Sequence, residues 1–166
     1  YYLRCDREGS ARDEIAMSKI GRSANCDKGD VSVWSERFGG AALVTGASMG
    51  IGEAFAQALA AGGMDLVLVD CDRERLEALA RTLEAEHRIR AVTVAVDLAH
   101  PDAAQAVRTG VEAAGLSIGL LINNAGYGVY GPFTEQNSSE QAGMVDVNCR
   151  APVSLTRAFA PDMVAR

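Results

Sequence analysis

Thr45-Gly46-Ala47-Ser48-Met49-Gly50-Ile51-Gly52 follows directly on the apolar run Ala41-Ala42-Leu43-Val44 and leads into an alanine-rich segment over 51–61. The run has strand length, and the segment after it reads as a helix that stops at Gly62-Gly63. A glycine-rich turn between strand and helix has a specific use. Glycine lets the backbone turn tightly and approach an anion without a Cβ in the way. The free N–H groups and the positive end of the following helix then face that anion. The spacing is G-x-x-x-G-x-G, and the ligand it suits is the pyrophosphate of a nucleotide.

Working outward, similar short apolar runs recur at Leu66–Val69, Ala91–Val96 and Leu120–Ile122. They are continuous rather than alternating, as expected of strands buried on both faces of a parallel sheet. Helical segments lie between them. Residues 72–86 open at Asp72, a competent N-cap, and place Leu76, Leu79, Ala80 and Leu83 on one face. Pro101 begins another helix, with Val107, Val111 and Ala114 at helical spacing. A last helix is predicted over much of 139–165, bent or interrupted by Pro152 and Pro161. The β-α-β-α-β-α-β-α order specifies an α/β fold: a Rossmann-like, doubly wound parallel sheet of about four strands, incomplete at its C-terminal side.

Residues 1–38 differ in kind. Their seven basic and seven acidic residues balance, and their apolar residues follow no period. They read as a poorly ordered extension, with at most a short helix around Arg12–Ile20, and the nucleotide-binding part as 39–166. The chain opens on Tyr1, which suggests processing or a fragment. The net charge of -6 falls wholly on 39–166 and argues against a nucleic-acid partner. No apolar run approaches the ~18 residues of a membrane span. Cys5, Cys26, Cys71 and Cys149 are widely spaced, with only His87 and His100 beside them, so neither a metal site nor a disulfide scaffold is expected. A cytoplasmic setting follows as the expectation.

Thr-Gly-x-x-x-Gly-Ile-Gly resembles the cofactor turn of the short-chain dehydrogenase/reductase family. On that likeness Gly46, Ser48, Gly50, Ile51 and Gly52 are cofactor-binding residues. Asp97-Leu98 matches the family's adenine-contacting position. Asn123-Asn124-Ala125-Gly126 looks like its Asn-Asn-Ala-Gly motif, which assigns Asn124, Ala125 and Gly126 to the cofactor cleft. Asn148, in Val147-Asn148-Cys149, falls where the family carries its catalytic-helix asparagine. The Asn123–Phe133 stretch looks most like the branch containing 3-oxoacyl and 17β-hydroxysteroid reductases. The resemblance covers 41–166 and implies hydride transfer between a nicotinamide cofactor and a small alcohol or carbonyl substrate. A homo-oligomer is expected of the complete protein.

Asp70, at the end of the second run, can accept hydrogen bonds from ribose hydroxyls and repel a 2′-phosphate. NADP-using relatives tend to carry arginine just after this position, where Cys71 stands here. NAD is therefore favoured over NADP, although Arg73 or Arg75 could reach a phosphate and Asp70 could instead serve as a helix cap. The family's Ser and Tyr-x-x-x-Lys are missing: no lysine follows Lys28. Tyr127 and Tyr130 read as loop residues at the cleft mouth, for packing or for substrate contact. Ser138 and Ser139 read as helix N-caps and Cys149 as a buried structural thiol. This stretch alone is expected to be inactive. The alternatives are a non-catalytic nucleotide-binding protein or an inactive truncated product.

Overall fold

A computed structural model describes residues 33–166. Most of the 1–38 extension, including the short helix at Arg12–Ile20, lies outside the described residues. Strands β1 (Ala41–Thr45), β2 (Leu66–Asp70), β3 (Ala91–Ala95) and β4 (Ile118–Ile122) form one parallel sheet in the order β3-β2-β1-β4. β1 pairs with β2 through Leu43 and Val67, and with β4 through Leu43 and Leu121. The chain thus winds one way from β1 to β3 and the other way to β4. The crevice of such a sheet opens at the carboxyl ends of the strands where the direction reverses, beside β1.

Successive strand residues face opposite sides, and each side has its own core. Ala42, Val44, Leu66 and Leu68 pack with Ala56 and Leu59 of α2 (Gly50–Ala61) and with Leu76, Leu79, Ala80 and Leu83 of α3 (Arg73–His87). Leu43, Val67 and Val69 pack on the other side with Val107 and Val111 of α4 (Ala103–Ala113). Leu155 and Phe159 of α6 (Ala151–Val164) complete that layer. The predicted face of 72–86 is the buried face of α3, and the Asp72 carboxylate accepts from the Arg75 N–H as its cap. β1 and β2, in the middle, are buried; β3 and most of β4 are half-buried, because each has a neighbour on one side only.

Four local readings need correction. A short helix, α1 (Val33–Phe38), lies inside the stretch assigned to the extension, with the Trp34 indole against Gly62 at the end of α2. Pro101 precedes α4 rather than opening it. The cap of α5 (Ser138–Val145) is Asn137, whose side chain accepts from the Ser139 N–H, not Ser138 or Ser139. Finally, α6 runs on through Pro161, and the break falls earlier, at a π-helical turn over Asp146–Arg150. Pro152 has no N–H to offer the Asn148 carbonyl, and the turn that feeds it widens, the Ala151 N–H donating to the Asp146 carbonyl. Among the described residues no helix is long and apolar enough to cross a membrane, and no cluster of metal-ligating side chains occurs.

Candidate functional site

A cleft of about 430 Å³ lies at the carboxyl ends of β1, β2 and β4. Its floor is the turn from β1 into α2. Gly46 sits at φ +64°, and a Cβ there would come within 2.9 Å of the Ala125 Cα. At Gly52 a Cβ would lie 2.0 Å from the Gly46 carbonyl oxygen, so helix and turn touch backbone to backbone. Gly50, at φ +61°, has open space where its Cβ would be. Met49, at the N-cap of α2, makes no side-chain capping bond. The first N–H groups of α2 have no partner within the helix, and Ser48, Met49 and Ile51 line the cleft beside them.

The wall opposite is Asn124-Ala125-Gly126, fixed by one buried hydroxyl. Thr45 Oγ1 donates to the Ile122 carbonyl at 3.3 Å and accepts from the N–H groups of Asn124 and Ala125, each at 3.0 Å. The Asn124 amide reaches back to the carbonyls of Thr45 at 3.0 Å and Gly46 at 3.3 Å. Asn124 is thus a strut between β1 and β4, and its orientation leaves Ala125 and Gly126 along the cleft. The sequence places Thr45 in the glycine motif with no partner in view; a threonine where the strand meets the turn is its only local signal of this role.

Asp70 closes the β2 side. One carboxylate oxygen accepts from the Ser48 N–H at 3.1 Å, the other from the Asp72 N–H at 3.2 Å. Partial burial pushes its pKa up, but these bonds outweigh that and hold it below the ordinary value. Asp70 is not the cap of α3; Asp72 is. Cys71 lines the cleft too. Burial and the neighbouring Asp70 raise its thiol, so it stays protonated. Asp97 and Leu98 lie along the same side, the Asp97 carboxylate accepting from the Ala99 N–H at 2.8 Å.

Asn148 does not line the cleft. Its side chain is engaged with the Tyr127 main chain, accepting from the N–H at 3.0 Å and donating to the carbonyl at 2.8 Å. Tyr127 does line the cleft, beside Val147, and its hydroxyl donates to the Glu140 carbonyl at 3.3 Å. Tyr127 is 45% exposed at the cleft border, tied by its hydroxyl rather than packed in a core. Cys149 is exposed rather than buried; in the π-helical turn only Val147 reaches a core. Ten of the twelve predicted site residues thus border the cleft or form its turn, Gly52 supports the turn from behind, and Asn148 stands one shell back.

Comparison with known proteins agrees with this geometry. The profile of the short chain dehydrogenases matches residues 40–166. The very-long-chain 3-oxoacyl-CoA reductase of Neurospora crassa is 38% identical over 128 residues, covering 75% of this chain and 39% of that protein. The structure of L-sorbose reductase from Gluconobacter frateurii, complexed with NADPH and L-sorbose, superposes with a TM-score of 0.72 at 35% identity, covering 76% of this chain and 48% of that one. A metagenomic short-chain oxidoreductase in complex with NADP gives 0.70 at 44% identity, covering 76% and 57%. The chain belongs to the short-chain dehydrogenase family. It spans about two fifths of the length of the curated relatives it matches.

Proposed function

We propose that residues 39–166 bind a nicotinamide dinucleotide, NAD in preference to NADP, and serve hydride transfer between its nicotinamide and an alcohol or carbonyl substrate. The observation that carries this reading is the uncapped start of α2 aimed into a glycine-floored cleft whose far corner is the Asp70 carboxylate. The residues fit the group. The α2 N–H groups and Gly50 suit a pyrophosphate, Asp70 suits ribose hydroxyls, and Leu98 lines the side where an adenine would lie. The nicotinamide supplies or accepts the hydride; the protein orients it. A 2′-phosphate beside Asp70 would meet a carboxylate held ionised, and neither nearby arginine is poised for it. Arg73 faces Glu77, and Arg75 pairs with Asp72 at 3.2 Å.

NADP is the second reading, favoured by the NADPH and NADP complexes among the solved relatives. Arg75 also lies 3.7 Å from the Met49 sulfur, at the lip of the turn. Fluorescence titration separates the two. NADH binding more tightly than NADPH, with Asp70→Ala narrowing the gap, supports the first. Tighter NADPH binding, weakened by Arg75→Ala, establishes the second, and binding of neither overturns the dinucleotide reading.

Proton transfer needs a positioned acid. Within this sequence neither Tyr127 nor Tyr130 has a lysine four residues on; Gly131 and Thr134 stand there. Residues 1–166 mixed with NAD and secondary alcohols are therefore expected to give no protein-dependent rise in NADH absorbance. The exposed free thiols of Cys71 and Cys149 suit the reducing cytosol that this reading assumes.

A further inference from the structure

Gly143 lies inside α5, where alanine has the higher helix propensity. A Cβ added there would come within 2.7 Å of the Tyr127 hydroxyl. The Tyr127 hydroxyl therefore occupies the space that a side chain at 143 would take, and from there it reaches the Glu140 carbonyl. The same residue is held a second time through its main chain, by Asn148. Tyr127 thus staples α5 and the π-helical turn to the Asn124–Gly126 wall, at two points about two helical turns apart. Tyr127 also borders the cleft. A side chain at 143 would push the Tyr127 hydroxyl out of this niche, and the residue so moved borders the cleft.

We propose that Gly143 and the Tyr127 hydroxyl form a latch that fixes Tyr127 at the border of the dinucleotide cleft and holds Asn148 in register. Tyr127 is then a positioning residue, and Gly143 is glycine to make room for it. The effect on ligand binding rests on the dinucleotide reading above; the latch itself does not. The test is a double-mutant cycle in the whole chain, with Gly143→Ala, Tyr127→Phe and the pair. Thermal unfolding reads the latch. Without the tyrosine hydroxyl, Gly143→Ala gains helix propensity and raises Tm; with it, the clash cancels or reverses that gain. Equal Tm shifts in the two backgrounds overturn the latch.

Titration with NADH and NADPH reads its consequence. Gly143→Ala is expected to weaken binding about tenfold through the displaced cleft border. Adding Tyr127→Phe is expected to restore binding to that of Tyr127→Phe alone. Hydrogen exchange at the residue 127 amide, which donates to Asn148, should quicken in Gly143→Ala and slow again in the double variant. Coupled Tm values with unchanged binding and exchange would overturn the positioning role. Absence of binding in every form, the unmutated chain included, would instead count against the dinucleotide reading and leave the latch to be decided by Tm.

Discussion

Between Gly46 and Gly52 the cleft is shaped by backbone atoms in contact, whereas from Asn124 to Asn148 it is held by side-chain hydrogen bonds. The first region is anchored on β1 and β2, which are buried in the middle of the sheet. The second hangs from half-buried β4. Its connection to α5 is organised by polar pairs: Gln136 donating to the Gly131 carbonyl at 2.7 Å, Gln141 to Gln136 at 2.9 Å, and Asn148 to Tyr127. Tyr130 and Phe133 meanwhile stay exposed. Steric contact at close-packed backbone is unforgiving, while exposed hydrogen bonds share their partners with water. The turn should therefore fail abruptly when altered, and the β4 side by degrees.

Gly52→Ala should have the largest effect. Its Cβ would overlap the Gly46 carbonyl oxygen, which belongs to the backbone and cannot step aside. A loss of ~3 kcal/mol in urea unfolding is expected, at the upper end of overpacking costs. Gly50→Ala meets no atom but must adopt positive φ, at roughly 1–2 kcal/mol. If Gly50→Ala proves the costlier of the two, the contrast between contact and conformation is drawn in the wrong place. Next comes Thr45→Val, which keeps the shape and removes the acceptor of two N–H groups. Thr45 is 1% exposed; the Asn124 N–H keeps the Ile122 carbonyl as a second acceptor at 3.1 Å, but the Ala125 N–H loses a partner that water is poorly placed to replace, at about 2 kcal/mol. Faster exchange at the Asn124 and Ala125 amides should accompany the loss.

On the β4 side, Asn148→Ala removes both bonds to the Tyr127 main chain, but those groups are exposed and water can take them up. About 1 kcal/mol is expected. A loss equal to that of Thr45→Val would show that this side is as rigid as the turn, and would erase the comparison.

The same division explains what could be read from the sequence. The alternation of strands and helices, the α3 face at Leu76, Leu79, Ala80 and Leu83, and the turn glycines were all readable, because period and backbone sterics are written locally. The strut role of Thr45 depends on Ile122 and Asn124, nearly eighty residues away, and only the folded sheet brings them together. Asn148 carries a recognisable position, yet nothing in its neighbourhood says that its side chain would be engaged with Tyr127. Cys149 was misread because its helix was taken as apolar and its thiol as buried with it, whereas Val147 is the one buried residue of the π-helical turn over 146–150. Pro161 was misread because a proline late in a helix gives up a bond near an end that frays in any case.

The smallest effect is expected at Asp70, where the two kinds of construction meet: a side chain whose partners are the backbone N–H groups of Ser48 and Asp72. Those N–H groups favour the ionised carboxylate, so its pKa is lower in the folded chain than in the unfolded one, despite partial burial acting the other way. Its contribution to stability is therefore fully present above the unfolded value of about 3.9 and is lost as pH falls through the lower folded value. Asp70→Asn keeps the shape but carries no titrating charge. Unfolding of the two proteins should differ by a constant amount from pH 7 down to about pH 5, one unit above the unfolded value. The difference should then shrink towards zero as the folded carboxyl protonates. Because the group is partly exposed, that difference should be smaller than for Asn148→Ala. A gap that widens on acidification would mean that burial, not the turn, governs Asp70, and would place it with the packed core rather than at the junction of turn and strand.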